Sequence, residues 1–309
     1  MNNTALYLAT VLIWGTTWIA IEYQLGVVAP AVSVFYRYVI AAVLLFAWCR
    51  ARGRSLAFGP TAHLRFMLLG LALFSLNYLL TYNAQQSITS ALAAILFSTM
   101  LWLNMLNARL LFGVRSGPRV LAGSLVGIAG IIVLFYPEVR YLSWSDATFF
   151  GAMLALLGAF ISSLGNMVSQ DAQRAGLPVV PSNAWGMAYG ALITGSIAWL
   201  RGETFAFDLS TGYVVSLVYL AVCGSILAFG AYLTLLGRIG AHRAGYAMVM
   251  FPVVAVVISI AFEGLAVSAS LVVGVALVML GNVFVLETRR RKPAGALNRA
   301  AAGRPATGP

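Results

Sequence analysis

Charge is what this chain has least of. Asp, Glu, Lys and Arg make up only 9% of its 309 residues, against about 25% in an ordinary soluble domain. Cysteine is scarce as well. Cys49 and Cys223 stand far apart with no CxxC or His-rich neighbourhood, which argues against a disulfide framework or a structural metal site. The two histidines, His63 and His242, sit alone in basic turns with no acidic motif nearby. An enzyme would need clustered acids around a metal, or a nucleophile beside a general base. The sequence offers neither, so no catalytic activity, metal or cofactor is expected. Long loops are missing too: the longest connection, residues 50–64, is a basic turn containing RARGRSL. A receptor or assembly subunit with a soluble signalling domain is therefore disfavoured.

What is abundant is apolar sequence, at 61% hydrophobic residues. A membrane helix needs about 20 mostly apolar residues, because in lipid each backbone group must be satisfied within the helix itself. Ten such runs can be drawn, at residues 4–22, 32–49, 65–83, 90–108, 119–136, 148–170, 183–200, 212–236, 243–262 and 268–287. The expected fold class is an all-α membrane protein of ten transmembrane helices. The opening MNNTALYLATVLIWG has no positive n-region and its apolar run is long enough to span, so it reads as the first helix and not as a cleavable signal.

The positive-inside rule counts Lys and Arg in short loops. With loops assigned alternately to the two sides, every basic residue except Arg37, Arg140 and Arg201 falls on one side. Both termini are thus expected in the cytoplasm of a bacterial inner-membrane, multi-pass protein. The net charge of +11 then reflects topology, and a nucleic-acid partner, which would want a basic face on a soluble domain, is not expected. Residues 289–309, rich in Ala, Gly, Pro and Arg, read as a basic disordered cytoplasmic tail with RRRK held near anionic headgroups.

An internal repeat is visible at an offset of 151 positions. Gly113, Gly123 and Gly130 fall on Gly264, Gly274 and Gly281, and Pro30 falls on Pro181. Ten spans split into two fives, residues 1–140 and 141–288, and an odd number of spans makes the second half enter the membrane from the opposite side. Two inverted five-helix repeats usually hold their site near the midplane and alternate its access by rocking one bundle against the other.

LIWGTTWIAIE in the first span, YRYVIAAVLL in the second and the long stretch 219–286, YLAVCGSILAFGAYLTLLGRIGAHRAGYAMVMFPVV and onward, resemble the EamA-type drug/metabolite transporter family. In that family each half carries a proline in its fourth helix and a glycine-glutamate pair near that helix's end. Pro252, Glu263 and Gly264 match in the second half, whereas Leu101 and Phe112 replace the proline and the acid in the first. The fourth span is therefore expected to be more regular than the ninth. The resemblance implies a secondary carrier that moves small metabolites, often outward, without ATP. It is most similar to the amino-acid exporters, the aromatic branch included; a multidrug or other metabolite exporter of the same family is the alternative.

Several side chains are candidates for a central cavity. Trp14 and Trp18 share a face of the first span, and Asn77, Tyr78 and Tyr82 cluster on the third. Ser98 and Trp102 are paired on the fourth span, Tyr246 and Met250 on the ninth, and Asn166 lies within the sixth. Some of the aromatics could instead belong to an interfacial belt. Pro252, in mid-span, is expected to kink its helix and serve as a gate, or simply to pack there. No carboxylate stands at mid-span, which disfavours a carboxylate proton relay and a cationic substrate. The substrate and only small-molecule partner expected is a net-neutral solute such as a zwitterionic amino acid. Arg37, five residues into the second run, is expected near the outer end. There it would pair with Glu22, or with outer-end carbonyls, as a structural brace between the first two helices.

Overall fold

The computed structural model describes residues 2–113, 118–139, 147–244 and 246–287, whose regular structure is helical, without a strand among them. The first helices are α1 (Asn3–Glu22), α2 (Pro30–Ala51) and α3 (Pro60–Leu71), which runs through a π-helical turn at Ala72–Leu76 into α4 (Asn77–Gln85). Next come α5 (Ser90–Phe97), α6 (Met100–Phe112) and α7 (Pro118–Val139). After them stand α8 (Ala147–Arg174), α9 (Val179–Leu200) and α10 (Thr211–Tyr219), which continues through a π-helical segment at Leu220–Leu227 into α11 (Ala228–Ala244). The last two are α12 (Tyr246–Phe262) and α13 (Ala269–Glu287). The tail at 289–309 and the boundary between residues 140 and 141 lie outside the described residues.

Local chemistry sets the helix starts. Pro30 and Pro60 occupy first-turn positions, where the missing N–H costs nothing and φ is already helical. Asn2 Oδ1 accepts from the Ala5 N–H at 2.8 Å, and Thr89 and Ser210 cap α5 and α10 in the same way. Among the described residues, six helical runs are long and apolar enough to cross a membrane: Asn3–Glu22, Pro30–Ala51, Pro60–Gln85, Ser90–Phe112, Ala147–Arg174 and Thr211–Ile239. Shorter apolar helices accompany them at Leu125–Leu134, Met250–Phe262 and Ala269–Gly281.

Neighbours in sequence are mostly not partners in space. α1 packs on α12 and α11, α2 on α9 and the second π-helical segment, α4 on α8, and α7 on α13. Lipid offers no hydrophobic drive for helix association, so close contact relies on small residues. The α7–α13 crossing shows this: a Cβ placed on Gly130 would lie 2.9 Å from the Gly274 carbonyl oxygen, and one on Gly281 would lie 2.5 Å from that of Gly123.

Features recur at the 151-residue offset. Gly113 and Gly264 both have φ of +67°, a left-handed conformation that favours glycine. The π-helical turn at Ala72–Leu76 recurs within Leu220–Leu227. At the α7–α13 crossing, the glycine pairs Gly123–Gly281 and Gly130–Gly274 exchange under the same offset.

The expected regularity of the fourth span is reversed. α12 runs unbroken through Pro252, whereas the fourth span breaks at Ser98–Thr99, between α5 and α6. The Ser98 and Thr99 hydroxyls each bond a carbonyl three residues back, Ile95 and Leu96, at 2.7 Å. Such bonds compete with the helical ladder. The backbone tightens to i→i+3 bonds there, Trp102 N–H to the Thr99 carbonyl at 2.9 Å among them.

Candidate functional site

A cavity with about 530 Å³ of atom-free space, part of it open to solvent, lies among helices from both ends of the chain. α1 presents Trp14, Thr17, Trp18 and Ile21 to it, the i, i+3, i+4, i+7 stripe of one helix face. α4 contributes Asn77, Tyr78 and Thr81, and α8 contributes Ser162 and Asn166. Phe97 and Met100 flank the break between α5 and α6; Phe229 and Tyr232 come from α11, and Met248 and Phe251 from α12.

The 151-residue offset orders this wall. Tyr78 corresponds to Phe229, Thr81 to Tyr232, Phe97 to Met248 and Met100 to Phe251, and all eight line the cavity.

The wall is aromatic and neutral. Trp18 stacks on Phe251 with ring centroids 5.9 Å apart and meets the edge of Phe97 at 5.3 Å. Trp14 sits 5.1 Å from Phe229 and 4.9 Å from Tyr232. Its Nε1 donates to the Gly224 carbonyl at 3.4 Å. Among the polar lining groups, Asn77 Nδ2 reaches Ser162 Oγ at 3.5 Å, and Asn166 Nδ2 reaches Asn104 Oδ1 at 3.2 Å. Asn77 Oδ1 is buried without a hydrogen-bond partner, and the Tyr232 hydroxyl stands against the Asn104 side chain. Asn77 and Tyr232 thus bring neutral polar groups to a wall that is otherwise mostly apolar. Pro252, next to Phe251, has no N–H for the carbonyl four residues back, and that carbonyl belongs to the cavity residue Met248. No charged side chain lines the cavity, and among the described residues no three His, Cys, Asp or Glu side chains gather into a metal-binding group.

Of the residues singled out from sequence, Trp14, Trp18, Asn77, Tyr78 and Asn166 line the cavity. Tyr82 does not: it is fully buried one turn beyond Tyr78, their rings 6.5 Å apart. Ser98 lies at the helix break with its hydroxyl committed to Ile95. Trp102 packs so closely against α7 that a Cβ on Gly127 would lie 1.8 Å from its ring. Met250 is 40% exposed on the outside of α12. Two residues correspond to about 200° of rotation around a helix, so Trp102 and Met250 turn away just where Met100 and Met248 turn in. Tyr246 opens α12, but its side chain lies outside the described residues.

Glu22 and Arg37 do not pair. Arg37 is fully buried, its Nε donating to Ser225 Oγ at 2.9 Å and its Nη2 to the Tyr78 hydroxyl at 3.4 Å. Its Cζ stands 4.3 Å from the centroid of the Tyr78 ring. The pairing with Glu22 fails because Glu22 is exposed at the end of α1, whereas Arg37 is buried against the second π-helical segment, where Thr17 of α1 also packs. The outer-end carbonyls considered as its alternative partners give way to the Ser225 and Tyr78 hydroxyls.

Apolar helices surrounding a neutral, aromatic internal cavity define the class: a multi-pass membrane transporter. Residues 4–136 and 149–287 each match the EamA-like transporter family, and the chain belongs to that family. It is 28% identical over 260 residues to the uncharacterised inner membrane transporter YedA of Escherichia coli strain K12, covering 83% of this chain and 81% of the relative. It is 23% identical over 313 residues to the probable amino-acid metabolite efflux pump of the same organism, covering 95% and 99%. Protein PagO of Salmonella typhimurium is 21% identical over 300 residues, covering 94% and 97%. A solved crystal structure with 20% sequence identity superposes with a TM-score of 0.69 over 97% of this chain and 98% of the other, showing the same fold. The chain is thus a multi-pass membrane transporter.

Proposed function

We propose that this transporter is a secondary carrier that exports net-neutral amino acids, aromatic or apolar ones, by alternating access through the central cavity. The observation that carries this reading is the wall itself: stacked aromatic rings, neutral hydrogen-bonding groups, and no charged side chain. An apolar pocket with a few fixed polar groups suits a small amphiphilic solute. The amino-acid side chain would pack among Trp14, Trp18, Phe97 and Phe251, and the ammonium would meet Asn77 and the Met248 carbonyl. The relative named a probable amino-acid metabolite efflux pump supports the same substrate class.

In this reading the ten spans form two inverted five-helix halves, residues 1–140 and 141–288, with both termini cytoplasmic. The recurrence of the π-helical turns, the +67° glycines and the lining pairs at one offset supports it. The halves rock about the cavity, and α12 flexes at Pro252 as a gate. Counterflow into proteoliposomes tests the substrate class, with labelled phenylalanine, a cationic dye and a nucleotide sugar offered in turn. Saturable phenylalanine exchange without dye or nucleotide-sugar movement is expected. Dye movement without any amino-acid exchange would contradict the reading.

A further inference from the structure

Among the described residues no carboxylate is ion-paired with Arg37. Its residue is 1% exposed, and each partner it has is neutral: Ser225 Oγ, the Tyr78 hydroxyl, and the rings of Tyr78 and Tyr38 at 4.3 and 5.3 Å. The neutral hydroxyls of Tyr38 and Tyr82 are buried beside the guanidinium as well. Arg65 pairs with Asp171 and Arg201 with Glu203, and neither acid reaches Arg37. A guanidinium stays protonated at any ordinary pH. An unpaired buried ion loses far more solvation than neutral hydroxyls return.

This charge lies one side chain behind the cavity. Tyr78, which it touches, lines the wall, and so does Trp14, whose indole donates to Gly224, the neighbour of Ser225. Because the Tyr78 oxygen accepts from Arg37 Nη2, its own proton can go to the neighbouring Tyr38 hydroxyl or to an acceptor in the cavity. The cation behind the hydroxyl strengthens that donation. We propose that Arg37 is a positioning residue that, through Tyr78, selects a carboxylate on the transported solute and supplies its countercharge. This rests on the cavity being the solute site, and it explains how a wall without charged side chains would tell an amino acid from an amine or a cationic drug.

The test uses the full-length protein purified in detergent, reading the fluorescence of cavity tryptophans as 3-phenylpropionate or its uncharged amide is added. The carboxylate is expected to bind at least about tenfold tighter than the amide, the discrimination of one charge-assisted hydrogen bond. Arg37→Met is expected to bring the two affinities to parity, and Arg37→Lys to restore part of the difference. Tyr78→Phe, which removes only the donating hydroxyl, is expected to narrow the difference as well, and it decides the matter where Arg37→Met yields no folded protein. Equal binding of the two probes by the unaltered protein, or an unchanged preference in these variants, overturns the proposal. Carboxylate preference without amino-acid exchange would sink the amino-acid reading and leave this one standing. Amino-acid exchange without carboxylate preference would do the reverse.

Discussion

Arg37 Nε donates to Ser225 Oγ across 2.9 Å, tying α2 to a π-helical segment in the other half of the chain. The serine is fully employed, since its hydroxyl also donates to the Leu220 carbonyl at 2.9 Å. Ser225→Ala leaves the buried cation short of an acceptor, a loss of about 1.5–3 kcal/mol for a hydrogen bond to a charged group. A clear fall in the thermal midpoint of the purified protein is the expected result. An unchanged midpoint would show that the bond contributes nothing to packing.

The glycine crossing of α7 and α13 leaves no room for a side chain. At Gly130 a Cβ would already lie 2.7 Å from the Val278 nitrogen and 2.9 Å from the Gly274 oxygen, backbone atoms that cannot swing aside. Gly130→Leu must push the helices apart, with an overpacking cost of about 1–3 kcal/mol or more. Leu125→Ala, at a residue of α7 that is 59% exposed, is the comparison and should change the midpoint little. Equal midpoints for the two variants would contradict the packing described.

Pro252 lies within α12 between the cavity residues Met248 and Phe251 and the helix end. Pro252→Ala supplies the N–H that the Met248 carbonyl lacks, strengthening the helix while removing its point of flexure. The thermal midpoint should hold or rise while the exchange rate falls several-fold. Unchanged exchange at a raised midpoint would show that Pro252 packs without gating.

Much of the architecture can be read from the apolar runs and from the glycine spacing, because both are direct consequences of membrane length and of close helix contact. The cavity is less legible. Trp14 and Trp18 were recognisable by their shared face, and the i, i+3, i+4, i+7 stripe of α1 extends them to Thr17 and Ile21. Trp102 and Met250 misled, since a large or polar-tipped side chain deep in a span says nothing about which way its helix is turned. The 151-residue offset holds that missing information: once Tyr78 is placed on the wall, it points to Phe229. Arg37 was misplaced for a different reason. Pairing it with Glu22 assumed that consecutive helices touch, whereas α2 packs mainly on α9. The break at Ser98–Thr99 was hidden because the signal sought was proline, and hydroxyl bonds to the backbone produced it instead.

The central claim is that the cavity between the two ends of the chain is the solute site, and two tryptophans separate it most directly from its rivals. Trp18 stacks on Phe251 within the wall, while Trp102 is buried against Gly127 away from it. Labelled phenylalanine counterflow in proteoliposomes, with each tryptophan changed to alanine and the amounts of folded protein matched, compares them. Trp18→Ala should lose most of the exchange and Trp102→Ala should keep most of it. Exchange that survives Trp18→Ala and collapses in Trp102→Ala would place the solute path elsewhere and contradict the account.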